Sequence, residues 1–258
     1  MKRLNYKQQG NGDPLILIHG LFGSLDNLGL IARQFESSYQ VISVDLRNHG
    51  LSFHSNEHNY DLLATDVIEL MDHLSITSAH IIGHSMGGKV AMAIAGSSPE
   101  KINSLSILDM APVSYSERKH DAVFTGLQRV ITTPPTSRKE ADVLLSTSII
   151  DPGVRQFLSK SLHKINNTLT FRFNVSTLFN QYSDIIGWHD ITPFSGHVLF
   201  IKGENSDYIL PGHRASIMAQ FPTAKAHVVN GTGHWLHAEK PETIYRIINR
   251  FIENSRKR

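Results

Sequence analysis

The chain has no cysteine among its 258 residues. Disulfides, thiolate metal sites and cysteine nucleophiles are therefore excluded together, and the composition fits a reducing cytoplasm. No apolar run approaches the ~18 residues needed to span a bilayer. The opening stretch MKRLNYKQQGNGDP carries charge but lacks the apolar core of a signal peptide. These readings lead us to expect a cytoplasmic protein without membrane insertion. Charge of one sign is also lacking: 25 Lys and Arg stand against 23 Asp and Glu, a net of +2. That balance excludes the broad basic surface that nucleic-acid binding requires. The basic tail NSRKR reads as a solvated terminus. Internal repeats and low-complexity tracts are missing as well.

What is present is an alternation. Short, nearly continuous aliphatic runs begin at Leu15, Tyr39, Ala79, Ser104, His197 and Lys225. Such runs read as strands buried on both faces. Between most of them lie stretches with apolar spacing of three and four, such as YDLLATDVIELMDHL from Tyr60 and GGKVAMAIAG from Gly87. The pattern predicts an α/β protein with a mostly parallel sheet and helices on both faces. From Pro112 to Phe194 the alternation stops, and the chain turns helical with no convincing strand. The expected organisation is a core of residues 1–111 and 195–258 with a helical cap, 112–194, inserted into it; a helical subdomain that only adds core is the alternative. The closing helix, KPETIYRIINRFIEN, begins at a proline and is amphipathic.

The stretch GHSMG fits the G-x-S-x-G pattern. With Gly and Ser each at roughly 7% usage, chance supplies such a match in about one chain of this length in ten. Context makes it informative: an aliphatic strand precedes it and a small-residue helix follows, so Ser85 sits on a sharp strand-to-helix turn with its hydroxyl pushed above the sheet. A neutral serine needs a base held by a third group. Among 15 histidines, His234 follows the last aliphatic run on a glycine-flanked loop, at the same sheet edge as Ser85. His237 lies nearer the closing helix and is assigned to packing there, while His84 and His19 are assigned to loop orientation. The turn HGLFGS after the first long run offers main-chain donors at that edge, and the N–H groups of Leu21 and Met86 are the candidates for holding an oxyanion.

Taken in order, HGLFGSLDNLG, DLRNHGLS, GHSMGGK, LDMAPV and AHVVNGTGHWLHAEKP resemble the α/β-hydrolase superfamily across essentially the whole chain, and most closely the bacterial YbfF-type esterases. The resemblance implies an α/β-hydrolase fold with an eight-stranded, mostly parallel sheet and a helical cap inserted after strand six. It also implies a Ser-Asp-His triad acting on acyl esters or thioesters, acyl-CoA type included, with no metal or organic cofactor and a small-molecule partner only. In most of the superfamily the triad acid follows the seventh strand, three residues after a glycine. Here that offset from Gly203 falls on Ser206, with Asp207 one position later. Asp109, in SILDMAPV, occupies an alternative location used by some members, and is favoured over Asp207; Ser206 is a candidate bridge to the histidine. Asp45, Arg47 and Asn48 in DLRNHGLS are assigned to loop bracing. Phe22, Phe124, Phe171 and Trp188 are candidates to line an acyl pocket, against the alternative that they only bury area. A carbon–carbon-bond hydrolase or lyase, or a hydrolase-like ligand-binding protein with little turnover, are the competing functions.

Overall fold

The structure, a computed structural model, describes residues 2–255; Arg256, Lys257 and Arg258 of the basic tail lie outside the described residues. Nine strands are assigned among these residues: β1 (Tyr6–Gln9), β2 (Asp13–Ile18), β3 (Tyr39–Val44), β4 (Ala79–His84), β5 (Ile102–Leu108), β6 (Leu162–Ile165), β7 (Thr168–Phe171), β8 (Val198–Gly203) and β9 (Lys225–Val229). Seven of them form one sheet in the order β1-β3-β2-β4-β5-β8-β9. All its pairings are parallel except β1 against β3.

The central strands explain the aliphatic runs. Every residue of β4 is buried, as are Leu15 to Ile18 of β2 and Ser104 to Leu108 of β5. Helices cover both sheet faces. On one, α2 (Tyr60–His73) and α3 (Met86–Ser97) pack with Ile16, Ile18, Ile81 and Leu105; on the other, α1 (Gly29–Phe35) and α11 (Pro241–Ser255) pack with Leu15, Leu17, Ile82 and Leu199. The closing helix starts at Pro241, and its Ile244, Ile248, Phe251 and Ile252 are buried, each contributing about 1.5–3 kcal/mol of burial.

Two expectations need correction. The sheet has seven strands, not eight. Among the described residues, β1 is the antiparallel edge strand, and the residues just before it are engaged outside the sheet. Leu4 is buried in the core, and Asn5 donates from its main chain to Ser52 and from its side chain to Asp45. The segment between β5 and β8 is also not wholly helical. It holds α4 (Asp121–Thr132), α5 (Arg138–Ser146), α6 (Pro152–Ser159), α7 (Val175–Asn180) and α8 (Tyr182–Ile186), but β6 and β7 pair between α6 and α7 as an antiparallel hairpin. Its loop is Asn166–Asn167, both with positive φ (45° and 68°), the backbone a tight two-residue hairpin requires and asparagine tolerates. Phe124, Leu127, Leu145, Phe171 and Leu178 of this segment join the same core cluster as α2 and α3.

The chain runs from β2 to β3 on one side and returns through β4 on the other. That reversal puts a crevice at the carboxyl ends of β2 and β4, where open α/β sheets bind ligands. No helix among the described residues is long and apolar enough to cross a membrane.

Candidate active site

Ser85 stands between β4 and α3 with φ 54° and ψ −123°. A non-glycine residue pays steric strain there, so the surroundings must impose it. They do so by close approach: a Cβ on Gly83 would overlap the carbonyl of Gly87, and one on Gly87 would overlap the carbonyls of Ile18 and His19. The turn is further pinned by Ser85 N–H donating to Leu108 O (3.0 Å) and Gly88 N–H donating to Ser85 O (2.8 Å). Met86 begins α3, so its N–H belongs to the unpaired amides at a helix N-terminus.

His234 lies on the loop after β9 and ahead of α10 (Leu236–Glu239). Its Nδ1 is 2.7 Å from Asp109 Oδ2 and its Nε2 is 2.9 Å from Ser85 Oγ. An ionised carboxylate only accepts, so Nδ1 carries the proton and donates to Asp109. Nε2 is left to accept from the Ser85 hydroxyl. Asp109 follows β5 with φ 52° and is 0% exposed. Its carboxylate also accepts from Gly203 N–H (3.1 Å) and from the Ser206 hydroxyl. Ser206 therefore braces the aspartate through the same oxygen that receives His234, instead of bridging to the histidine. Asp207 turns outward, with its side chain 67% exposed and paired with Lys119 Nζ at 2.6 Å. That ammonium holds the Asp207 carboxyl below its ordinary range.

The turn after β2 completes the arrangement. Gly20 O accepts from Gly23 N–H (3.1 Å) and from His19 Nδ1 (2.8 Å). In a trans peptide the N–H of the same unit points the opposite way, so the Leu21 N–H faces away from these donors. Leu21, Ser85 and Met86 together border one cavity. Phe22 N–H is tied back to His49 Nε2 at 3.2 Å.

The family pattern of the alpha/beta hydrolase fold matches residues 13–241. The chain belongs to the α/β-hydrolase family. It is 42% identical over 248 residues to Esterase YbfF of Escherichia coli, covering 96% of each chain. It is also 32% identical to the sn-1-specific diacylglycerol lipase ABHD11 of Mus musculus, covering 92% of this chain and 80% of the relative. A solved marine microorganism esterase superposes with a TM-score of 0.93 at 33% identity, over 97% of this chain and 100% of that one.

Within this hydrolase, the remaining predicted residues separate cleanly. His84 donates from Nε2 to His234 O (2.9 Å) and packs at a tilt of 56° against His237, ring centroids 4.1 Å apart. Burial pushes His84 well down and His237 down to about 3, so both stay neutral. Asp45 accepts from Leu25 N–H (2.7 Å), Leu51 N–H (2.9 Å) and Asn5 Nδ2 (2.7 Å). Arg47 makes a buried two-point contact with Asp66, and Asn48 Oδ1 accepts from Ser55 N–H. These three side chains brace their loop.

The cavity wall differs from the expectation. Phe22, Phe124, Phe171 and Trp188 stand outside it. Phe22 packs on Phe124 (5.3 Å) and Phe173 (5.2 Å), Phe171 stacks on Phe173 (4.8 Å), and Trp188 Nε1 donates to Gln220. The wall consists instead of Tyr60, Tyr115, Tyr182 and Tyr208, with Met110, Ile185 and Ile186 and the titratable Lys89, Glu117, Lys119 and His120. Lys89, 0% exposed and one turn beyond Met86, donates to Ile186 O (3.0 Å) and Gly187 O (2.7 Å). Burial lowers its amine to about 7. His120, lowered to about 4 chiefly by burial, meets the Tyr182 hydroxyl at 2.7 Å. No sequence pattern marked these residues, because they come from separate elements. Among the described residues, no cluster of three His, Asp or Glu is arranged to hold a metal ion.

Proposed function

We propose that this chain is a serine carboxylic ester hydrolase working through an acyl-enzyme, with residues 112–194 acting as a cap over the acyl pocket. The observation that carries the reading is the continuous line from Ser85 Oγ through His234 (2.9 Å) to Asp109 (2.7 Å), anchored on a backbone strained at the serine. Names of relatives at 42% and 32% identity, an esterase and a diacylglycerol lipase, agree with it.

In the first half-reaction Ser85 Oγ attacks the acyl carbon while His234 Nε2 takes its proton. The carbonyl oxygen becomes an oxyanion held by the Leu21 and Met86 amides. Asp109 stabilises the imidazolium without taking its proton. The imidazolium then protonates the departing alcohol or thiol, and an acyl-serine remains. In the second half, His234 removes a proton from water, the resulting nucleophile attacks the acyl carbon, and the proton returns to Ser85 as the acid leaves. The aromatic and aliphatic wall suits an apolar acyl group, and thioesters, acyl-CoA included, enter through the same chemistry. Cytoplasmic residence, and a small-molecule substrate with no nucleic-acid partner, complete the proposal.

A fluorophosphonate should label the wild type and leave Ser85→Ala unlabelled, and a chain-length panel of acyl esters and thioesters should be turned over by the wild type alone. Equal labelling of both proteins would overturn the reading. Turnover of a vinylogous diketone but of no ester would favour carbon–carbon cleavage instead, and persistent single-turnover product would favour the ligand-binding alternative.

A further inference from the structure

The proposed chemistry leaves Tyr208 and the Lys119–Asp207 pair without a task. The Tyr208 ring lies on the imidazole of His234, with centroids 3.9 Å apart and planes 22° from parallel. Its backbone is fixed at both ends: Tyr208 N–H donates to Ser206 Oγ (3.3 Å), and Tyr208 O accepts from the Tyr115 hydroxyl (2.7 Å). That hydroxyl in turn accepts from Ala111 N–H at 3.0 Å. Imidazole covers one face of the Tyr208 ring, and Lys119 Nζ stands 4.6 Å from the ring centroid. Lys119 precedes α4, and its partner Asp207 is the immediate neighbour of Tyr208.

We infer that Tyr208 is a positioning residue for His234, and that the Lys119–Asp207 pair fastens the segment before α4 across it. The inference rests on the assignment of His234 as base. Hydrogen bonds at Nδ1 and Nε2 fix the line through the two nitrogens but leave the imidazole free to rock about that line. A ring stacked on its face removes that freedom. The same face becomes attractive when the imidazole turns cationic, because the negative π-face favours a cation. That attraction exists only once the proton has been taken, so it aids the transition state and not the resting enzyme.

The charges facing His234 agree with this task. Asp109 lies on the Nδ1 side. His84, whose ring centroid is 4.8 Å from that of His234, His237 behind it against His84, and His120 are kept neutral chiefly by burial. Lys119 is the permanent cation beside the Tyr208 ring, and Asp207 offsets it. The imidazolium therefore forms against one π-face and two carboxylates, with Lys119 opposing.

The test is the pH profile of kcat/KM on a p-nitrophenyl ester, whose acid limb reports the base in the free enzyme. Tyr208→Leu keeps an apolar cover but removes the π-face; its acid limb should fall by about half a pH unit, with kcat lowered more than KM is changed. Tyr208→Phe should restore the limb. Lys119→Met removes the opposing cation and frees Asp207, so its limb should rise. A Tyr208→Leu limb coincident with wild type, a Phe variant that behaves like Leu, or a Lys119→Met limb that stays or falls would each overturn the inference. Should Tyr208→Leu fail to fold, the Lys119→Met limb decides. Fluorophosphonate labelling run alongside separates the two claims: unlabelled wild type defeats the proposed chemistry, whereas labelled wild type with unmoved limbs defeats this inference alone.

Discussion

Replacing Asp109 by asparagine separates the two candidate acids, and the hydrogen bonds around it dictate the outcome. The carboxylate has two oxygens and three donors: Gly203 N–H on Oδ1 at 3.1 Å, and Ser206 and His234 on Oδ2. The asparagine amide can take either of two orientations. With its oxygen toward Gly203, the NH2 faces Ser206, whose hydroxyl can rotate to accept, and His234, which must then carry its proton on Nε2. With its oxygen toward His234, the NH2 faces the Gly203 amide, which cannot rotate and is left buried without an acceptor, at about 1–3 kcal/mol. The first orientation wins, and it gives an imidazole that cannot accept from Ser85. We expect kcat to fall by roughly 10⁴, about 5.5 kcal/mol of transition-state stabilisation, with KM little changed. Asp207→Asn loses only a largely exposed ion pair, worth about 0–1 kcal/mol, and should cost less than tenfold. Steady-state hydrolysis of p-nitrophenyl esters, with circular dichroism to confirm folding, reads both. If Asp109→Asn keeps activity within tenfold while Asp207→Asn loses a hundredfold, the argument from the buried carboxylate is wrong.

Two further outcomes bear on strain and buried charge. Ser85→Gly removes the steric cost of φ 54°; it should abolish turnover yet raise stability by about 1 kcal/mol, or roughly 2–4 °C in Tm for a chain of this size, and an unchanged or lower Tm would remove the case for stored strain. Lys89 has its amine lowered from 10.5 to about 7 by burial, so between these values the unfolded chain binds the extra proton and stability rises with pH. The wild type should therefore gain Tm relative to Lys89→Met from pH 7 to pH 10, and parallel curves for the two proteins would refute the shift.

How much of this was legible depended on whether the signal was local. The central strands were readable because burial on both faces forces a continuous aliphatic run, as in β4 and β5. β1 was not, because Tyr6–Gln9 pairs only with β3 at the sheet edge, where YKQQ suffices. The β6–β7 hairpin left one local mark, the Asn166–Asn167 pair, embedded in a stretch whose apolar spacing looked helical. Ser85 and His234 could be proposed because each follows a strand at the same sheet edge, whereas Asp109, also at a strand end, was picked out over Asp207 by the family resemblance. The cavity wall could not: Tyr60, Tyr115, Tyr182 and Tyr208 converge from four places in the chain, while the phenylalanines that looked like lining turned inward to one another.

The abundance of histidine, which made the base ambiguous in the sequence, becomes an argument once burial is known. Burial lowers His19, His49, His58, His84, His120 and His237 alike. None of these six has its ring hydrogen-bonded to a carboxylate. His19 and His49 instead each place one ring nitrogen on a main-chain carbonyl and the other on a main-chain N–H, lacing the turn of Leu21 to the loop after β3. A neutral imidazole serves there because it can donate at one nitrogen and accept at the other; protonation would take away the acceptor. His234 combines a carboxylate on one nitrogen with a hydroxyl on the other. The surrounding histidines thus supply neutral hydrogen-bonding scaffolding, and the acceptance of a proton is left to the ring whose new charge has a partner waiting.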